Sequence, residues 1–99
     1  MGWKLTYYDE VALDVREAKD WYYRQQKGLE KRFAADVKNC IKRLQKNPLH
    51  YEVRYKKVRI AYCTTFPHAV HFYVDETANH LVIIAIVHQH RHPEFAKKR

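Results

Sequence analysis

Cysteine is scarce in this chain, which has only Cys40 and Cys63. The two residues fall in different predicted elements and lack the spacing of metal-binding cysteines, so neither a disulfide framework nor a zinc knuckle is expected. Unpaired cysteines are typical of proteins in the reducing cytoplasm. We therefore expect a cytoplasmic protein.

Long apolar runs, repeats, low-complexity tracts and flexible linkers are also missing. The longest apolar run, residues 81–87, is far too short to cross a bilayer, and no charged-then-apolar leader opens the chain. A chain of 99 residues with a hydrophobic fraction of 46% has room for one packed core. We expect a single domain over residues 1–99 that is soluble and does not contact a membrane.

Acidic residues are in the minority, since the chain has 19 lysines and arginines against 11 aspartates and glutamates and a formal net charge of +8. This excess favours an anionic partner such as nucleic acid, the ribosome or an acidic protein. The alternative is a basic protein whose charge only aids solubility. Charge therefore restricts the partners without selecting one.

Two amphipathic helices are predicted in the first half of the chain, after a short strand at residues 3–8. Asp9 stands where it can cap the first helix, and Gly28 ends that helix in a left-handed conformation. The Asn47-Pro48 pair ends the second helix. Because the link between the helices is short, they should form an antiparallel hairpin.

Three strands are predicted in the second half, at residues 58–65, 69–75 and 80–88. The last strand is apolar on both faces, which is typical of a strand covered on both sides. Its alternation places Leu81, Ile83, Ala85 and Val87 on one face and Val82, Ile84 and Ile86 on the other. The hairpin can cover one face. Only residues 49–57 are left for the other, so part of it is expected to await a partner, while residues 95–99 look like a fraying basic tail.

The predicted fold class is therefore α+β in the order β-α-α-β-β-β, with the helical hairpin packed on a mostly antiparallel sheet. In addition to this order of elements, several short sequence motifs resemble those of a known family. They are Glu17-Ala18-x-Asp20-Trp21-Tyr22, Gly28-Leu29 with Arg32-Phe33, Arg43-Leu44-x-x-Asn47-Pro48, Val58-Arg59, Phe66-Pro67, Asp75-Glu76 and Ala85-Ile86-x-His88-x-x-Arg91-x-Pro93. Their order and spacing resemble the RelE/ParE toxin superfamily of type II toxin-antitoxin systems, most closely its ParE-type branch, over almost the whole chain. Phe95 stands where the family often has tryptophan, which keeps an aromatic anchor.

The resemblance implies a growth-inhibiting toxin that a cognate acidic antitoxin covers, with the antitoxin contacting operator DNA for both. ParE-like members act on DNA gyrase, whereas RelE-like members cut messenger RNA in the ribosomal A site. Neither needs a cofactor. A third hypothesis, from another class, is a basic nucleic-acid-binding domain without toxicity.

A ribonuclease would need a base, an acid and cations for the phosphate. If two strand faces coincide, Arg59, His71 and Tyr73 form a polar patch on the side away from the helices. By the family resemblance, His88 is the best base or acid and Arg59 the best phosphate clamp, with Arg91 in support. The structural alternative is that Arg59 pairs with an acidic residue, that the strand residues are surface pairs, and that His88 ends a buried strand.

Other clusters have plainer interpretations. His88, His90 and His92 alternate and can in principle hold zinc, but Pro93 indicates that the strand is already ending, so no metal is expected. Aromatic residues at helical spacing are more often core than site, so the hairpin is expected to bury Trp21, Tyr22 and Tyr23.

The densest positive region combines a loop with the end of the second helix. Its cations are Arg54, Lys56, Lys57, Lys42, Arg43 and Lys46. An aromatic residue between cations is typical of a loop that follows phosphates, and solvated loop charge explains the run almost as well. We predict that the target or a nucleic acid is contacted there.

Overall fold

The computed structural model describes residues 2–90 and 94–99, apart from the side chains of residues 94 and 95. The described elements are β1 (Lys4–Tyr7), α1 (Asp9–Gln25), α2 (Leu29–Lys46), a 3₁₀ turn (Pro48–His50), β2 (Val53–Tyr55), β3 (Val58–Tyr62), β4 (His68–Asp75), β5 (His80–His88) and α3 (Glu94–Lys97). No helix in these ranges is long and apolar enough to cross a membrane.

The strands form one sheet in the order β1-β5-β4-β3-β2. β1 runs parallel to β5, and every other neighbouring pair is antiparallel. α1 packs on α2 and β5, while α2 packs on β3 and β4, so both helices lie on one face of the sheet. We call this the helix face and the opposite one the far face. The predicted hairpin on a mostly antiparallel sheet is confirmed.

The main core lies between the helices and the helix face. Phe33, Leu44, Phe72 and Leu81 are fully buried there, and Phe33 packs its ring against those of Tyr22 and Phe66, with centroids 5.1 and 5.7 Å apart. Burial of large apolar and aromatic side chains supplies most of the favourable free energy of folding. The stripes predicted for both helices are therefore the ones that hold the hairpin on the sheet.

A carboxylate stands within the apolar stripe of α2. Asp36 is 7% exposed and accepts hydrogen bonds from the backbone amides of Thr65, at 3.1 Å, and Phe66, at 2.8 Å. These amides belong to the turn between β3 and β4. Asp36 therefore fixes that turn to the helix.

The two cysteines are buried free thiols, as the sequence indicated. Cys40 lies on α2, and its Sγ donates to the carbonyl of Ala61 at 3.8 Å. A hydrogen bond with Cys40 and burial both raise the pKa of the Cys63 thiol. The pair therefore fills the space between α2 and the end of β3.

The predicted faces of β5 are wrong beyond Ile84. His71 of β4 pairs with Ala85, but the next residue, Phe72, pairs with Ile83, so β5 has one extra residue at a bulge. Ile86 consequently joins Leu81 and Ile83 on the helix face, while Ala85 and Val87 join Val82 and Ile84 on the far face. The alternation of apolar and polar residues along a strand cannot reveal such a bulge here, because the residues on both sides of it are apolar.

Two segments differ from their predictions. Residues 49–57 cover the far face only in part: they form the end of the 3₁₀ turn and the added strand β2 at the sheet edge, and Tyr55 packs against the apolar cluster of the far face. α3 covers another part of the far face, with Ala96 only 2% exposed against β5. The described end of the chain is therefore packed, and the prediction of a fraying tail is wrong. Asp9 also differs, because Tyr8 takes the cap position of α1 and makes no side-chain cap.

Gly28 links the two helices and has a φ of +99°, in the left-handed region that the sequence predicted. Replacing Gly28 with alanine should lower the free energy of unfolding by about 1 to 2 kcal/mol, because a Cβ disfavours this backbone conformation. Denaturation in urea measures the loss. Gly2→Ala is the matched control and should cause no change, since Gly2 does not have a positive φ. An equal effect in both variants would contradict the backbone explanation.

Candidate functional site

A cleft of about 350 Å³ lies between α1 and the last part of β5. We call it the α1–β5 cleft. Its lining residues are Asp14, Glu17, Ala18, Trp21, Tyr22, His68, Ile86, Val87 and His88. Carboxylates, histidines and aromatic side chains therefore meet in one concave place, and convergent polar groups in a cleft mark a candidate binding site.

Among residues 2–90 and 94–99, no strand lies next to the edge of β5 beside this cleft. β1 pairs with β5 only up to Ile83, which accepts a final hydrogen bond from the amide of Tyr8 at 2.9 Å. Beyond that point side chains take the place of a strand. The amide of Ile86 donates to Asp14 Oδ2 at 3.0 Å, and Arg99 donates from Nη1 to the carbonyl of Ile84 at 3.0 Å.

Asp14 and Arg99 also bind one another. The guanidinium of Arg99 reaches both carboxylate oxygens of Asp14, at 2.6 and 2.8 Å, and both side chains are almost completely buried. A bidentate pair of this kind is among the strongest charged hydrogen-bonding arrangements. It ties α1, β5 and the residues after α3 together at one point.

A row of histidines runs from the core to the surface at the end of β5. Buried His68 shares a hydrogen bond of 3.0 Å with Tyr22, and its ring centroid lies 5.3 Å from that of His88. The Nδ1 atom of His68 is buried and has no hydrogen-bond partner. Burial, with the nearby His88, lowers the pKa of His68 to about 4. His68 is therefore neutral at physiological pH.

No group of three possible metal ligands occurs in residues 2–90 and 94–99. His88 and His90 do lie close together, with the His90 amide donating to His88 Nδ1 at 3.1 Å. His92 lies outside the described residues. The two described histidines therefore form a local hydrogen-bonded turn.

A second cleft, of about 310 Å³, opens on the far face and is called the far-face cleft. Its lining residues are Arg54, Tyr55, Ile60, Tyr62, Ala69, His71, Val87, His88, Gln89, Ala96 and Lys97. The Nδ1 atom of His71 shares a hydrogen bond of 2.8 Å with the hydroxyl of Tyr55. Burial, with the charge of Arg99, lowers the pKa of His71 to about 4. Part of the far face therefore stays open, as predicted, although α3 and Tyr55 cover other parts of it.

The predicted patch of Arg59, His71 and Tyr73 does not form. Arg59 pairs with Phe72 in the sheet, so its side chain belongs to the helix face, while His71 and Tyr73 belong to the far face. Arg59 donates to the carbonyls of Leu49 and Tyr51 rather than to an acidic residue. It therefore fastens the turn before β2.

His88 lies away from that arginine. His88 pairs with His68, whereas Arg59 pairs with Phe72, so the two positions are offset by four residues of β4, or about 13 Å along the strand direction, and β4 lies between their strands. Arg91 lies outside the described residues. His88 is at the end of β5, as expected, and lines both clefts.

The predicted basic region is divided between two parts of the molecule. Lys42, Arg43 and Lys46 are exposed on α2, and Arg43 donates to the carbonyl of Tyr62 at 3.4 Å. Arg54 is exposed on β2 and lines the far-face cleft. The cations of α2 and of β2 consequently lie on opposite sides of the sheet.

The two lysines of the turn between β2 and β3 contact the far side. The Nζ atom of Lys56 donates to the carbonyl of Lys97 at 3.1 Å, and that of Lys57 lies 4.0 Å from the centre of the Tyr73 ring. A cation above an aromatic face is held electrostatically by the ring. Lys56 and Lys57 therefore help to hold α3 and the far-face aromatic residues in place.

Three residues of the α1–β5 cleft were not predicted from the sequence: Asp14, Trp21 and His68. Trp21 was expected in the hairpin core but is 54% exposed. Outside the cleft, Tyr23 is 50% exposed, whereas Tyr22 is buried as expected. His68 was assigned to a turn. The alternation of His68 with Val70 and Phe72 is the signal that extends β4 back to it. Nothing in the sequence indicates that Asp14 reaches β5.

A comparison with protein-family models identifies the family of this chain. The family model described as "ParE toxin of type II toxin-antitoxin system, parDE" matches residues 5–93. The chain belongs to the ParE toxin family. None of the curated proteins matches its sequence significantly.

Solved structures resemble this ParE-family chain across nearly its whole length. A chain of the chromosomal ParDE toxin-antitoxin system from P. aeruginosa has a TM-score of 0.75 at 19% identity, covering 87% of this chain and 95% of that one. A chain of the RelBE2 toxin-antitoxin complex from Mycobacterium tuberculosis has a TM-score of 0.62 at 14% identity, covering 89% and 92%. A chain of the archaeal RelE-RelB complex from Pyrococcus horikoshii OT3 has a TM-score of 0.56 at 10% identity, covering 93% and 100%.

These likenesses show that this ParE-family chain has the RelE/ParE toxin fold. The family places it among the toxins of type II toxin-antitoxin systems. Because identities are 19% or lower, the structures show the fold and not the target.

Proposed function

We propose that the protein is a cytoplasmic toxin that stops growth by binding DNA gyrase, and that a cognate antitoxin neutralises it and contacts operator DNA for the pair. The ParE family match supports the choice of gyrase. The similar structures are toxin-antitoxin systems or complexes, which supports an antitoxin partner.

The dispersal of the candidate catalytic residues is the observation that favours binding over chemistry. General acid and base catalysis needs its groups within hydrogen-bond reach of the same substrate. In the described residues, Arg59 belongs to the helix face and His71 to the far face, while His88 is offset from Arg59 by about 13 Å along the strand direction, with β4 between their strands. Arg59 is also occupied by two carbonyl groups. We therefore favour inhibition by contact, in which the exposed Lys42 and Lys46 of α2 bind the target.

A ribosome-dependent endoribonuclease is the second candidate, and the far-face cleft supports it. This cleft brings Arg54, His71 and Lys97 to one concave surface beside His88. Cations and imidazoles are sufficient for metal-independent cleavage of RNA. One observation opposes the ribonuclease: His71 is buried, and its Nδ1 atom is hydrogen-bonded to the hydroxyl of Tyr55. A substrate would have to displace that contact.

Expression without antitoxin separates the two activities. We expect growth to stop with filamentation and DNA-damage signalling, while protein synthesis continues at first. The purified chain should inhibit supercoiling by gyrase in vitro. Arg59→Ala and His88→Ala should stay toxic, with folding checked by circular dichroism. An early collapse of protein synthesis with cleaved messages, lost in those two variants, would contradict the gyrase proposal and favour the ribonuclease.

Charge reversal on α2 tests the proposed contact with the target. The double variant Lys42→Glu, Lys46→Glu should lose toxicity and inhibition of supercoiling, because both side chains are exposed and a reversal opposes an anionic partner. Lys4→Glu, on exposed β1, is the control and should stay toxic. Full toxicity of the double variant would exclude this surface.

A further inference from the structure

The α1–β5 cleft is acidic, although the protein as a whole is strongly basic. The part of the chain that the structure describes supplies two carboxylates to its lining, those of Asp14 and Glu17, and no lysine or arginine. The whole chain, by contrast, has 19 lysines and arginines against 11 aspartates and glutamates. A cleft lined by charges of one sign attracts ions of the opposite sign. Phosphates, nucleotides and carboxylates are therefore disfavoured here, whereas cations are favoured.

One of the two carboxylates already holds an organic cation. The guanidinium of Arg99 contacts both oxygens of Asp14, at 2.6 and 2.8 Å, and so neutralises that carboxylate. Glu17 lies one turn further along α1 and is exposed at the cleft. Among residues 2–90 and 94–99, no cation makes an ion pair with Glu17. Its carboxylate is therefore available to a second organic cation.

Trp21 places an aromatic ring beside the carboxylate of Glu17. The two residues are one turn apart on α1, so their side chains are neighbours on the helix surface. Trp21 is 54% exposed, and its ring contacts that of Tyr22 edge to face, with centroids 5.1 Å apart. A cation over the face of a tryptophan is attracted by the electrons of the ring. A carboxylate next to an exposed indole therefore favours an ammonium ion, and the described residues offer no group of three ligands for a metal ion instead.

A buried histidine adds a hydrogen-bonding group to the cleft. His68 is 6% exposed and neutral, and its Nε2 atom shares a hydrogen bond of 3.0 Å with the hydroxyl of Tyr22. Its Nδ1 atom has almost no accessible surface and no hydrogen-bond partner, although buried polar atoms are nearly always paired. The ring of half-buried His88 packs against it, with centroids 5.3 Å apart, and a rotation of that ring would admit a ligand. A small ligand that entered here would satisfy Nδ1.

The size and the lining of the cleft limit the ligand further. Its volume of about 350 Å³ is near the lower end of the range for small-molecule sites, about 300 to 1,000 Å³. Ala18, Ile86 and Val87 give it apolar surface that suits a short hydrocarbon chain. A second charge beside the buried histidine would be costly to remove from water, whereas a hydroxyl costs much less and can either donate to Nδ1 or accept from it. These features together describe a small amino alcohol.

We infer that the α1–β5 cleft binds a small amino alcohol, whose ammonium group lies between Glu17 and Trp21 and whose hydroxyl pairs with Nδ1 of His68. The hydrocarbon chain between the two groups packs on the apolar residues of the cleft. The ligand is a free small molecule, and the exposed lysines of α2 lie outside the site. The inference therefore goes beyond the proposed function and does not depend on which target the protein inhibits.

Titration with three small molecules tests the chemistry of the ligand. The probe is aminobutanol, which carries an amine and a hydroxyl at opposite ends, while butylamine lacks the hydroxyl and butanediol lacks the charge. The indole NMR signal of Trp21 in the purified chain should shift to saturation with a Kd on the order of 1 mM for aminobutanol. Butylamine should bind at least about threefold more weakly, and butanediol at least about fivefold. The indole signal of Trp3, which packs against the main core, is the internal control and should not move.

Three outcomes of this titration contradict the inference. A shift that does not saturate, or an equal shift of both indole signals, would overturn it, since neither indicates a site. Equal affinity for butanediol would overturn it as well, because the carboxylate would then contribute nothing. Equal affinity for butylamine would overturn the part assigned to His68.

Two variants of α1 test the residues of the site, each with a matched control on the same helix. Glu17→Gln and Trp21→Leu should each weaken the binding of aminobutanol at least about threefold. Asp20→Asn and Tyr23→Leu change exposed residues that do not line the cleft, and they should stay within about 1.5-fold of the original chain. Unchanged affinity in both cleft variants would refute the site. Equal weakening in all four would refute it too, because the acidic helix as a whole would then attract the cation.

The imidazole of His68 reports on the hydroxyl of the ligand directly. In the chain with isotope-labelled histidine, the Nδ1 signal of His68 should shift when aminobutanol saturates the site and not when butylamine does, because only aminobutanol brings a hydroxyl to that atom. The ring signals of exposed His50 are the control and should not move with either compound. Saturable binding of aminobutanol with an unmoved Nδ1 signal would show that the hydroxyl does not reach His68.

Discussion

Replacing Asp36 with alanine is expected to lower the free energy of unfolding by about 3 kcal/mol. Its carboxylate accepts hydrogen bonds from the backbone amides of Thr65 and Phe66, and its side chain lies within the apolar stripe of α2. Removing it leaves two amide groups with no protein acceptor, and the Phe66 amide is buried. Urea denaturation measures the loss, and the melting temperature should fall by on the order of 15 °C.

Asp75→Ala is the matched control for this experiment. Asp75 also accepts one backbone hydrogen bond, from Ala78, but the contact is exposed to water, which can replace it. We expect this variant to lose about 0.5 kcal/mol or less. Equal losses in the two variants would show that the position of Asp36 between α2 and the turn is unimportant.

Acid is expected to destabilise the protein through two buried histidines. His68 and His71 are each 6% exposed, and burial lowers both of their pKa values from 6.5 to about 4. Because the unfolded chain binds these protons more readily, the stabilisation is complete above pH 6.5 and is lost as the pH falls towards 4. Between pH 7 and pH 5 the loss should be about 2 kcal/mol for each histidine, measured by urea denaturation at both pH values.

Removing the titrating groups tests this cause. The double variant His68→Gln, His71→Gln should lose about 4 kcal/mol less between pH 7 and pH 5 than the original chain, whatever its stability at pH 7. Exposed His50→Gln is the control for the substitution itself and should keep the original loss. A double variant as sensitive to acid as the original chain would place the effect elsewhere, for example in carboxylates common to both proteins.

The helices and the last strand of the fold could be predicted because their signals are local. The apolar residues of the helices recur every three or four positions, which predicted their buried stripes, and Gly28 predicted the link between the helices, where it has a positive φ. β2 was not predicted because it is only three residues long and is interrupted by a register shift. The bulge in β5 was not predicted because every residue around it is apolar.

The site was harder to predict because its contacts join distant parts of the chain. Asp14 and Arg99 meet across 85 positions, and their pairing depends on how α1 crosses the edge of β5. Arg59 was placed on the wrong face because its partner strand could not be aligned from the sequence alone. Asp36 had a usable signal, since a carboxylate three residues after Phe33 interrupts an otherwise apolar stripe.

The parallel pairing of β1 with β5 sets an order of events during synthesis. Lys4 pairs with His80 and Tyr7 with Ile83, so β1 has no neighbouring strand until more than 70 further residues have been synthesised. Contacts between such distant residues form slowly compared with local ones. The helical hairpin, with the exposed lysines of α2, is therefore available early, whereas the complete sheet exists only after residues 80–88 have been synthesised.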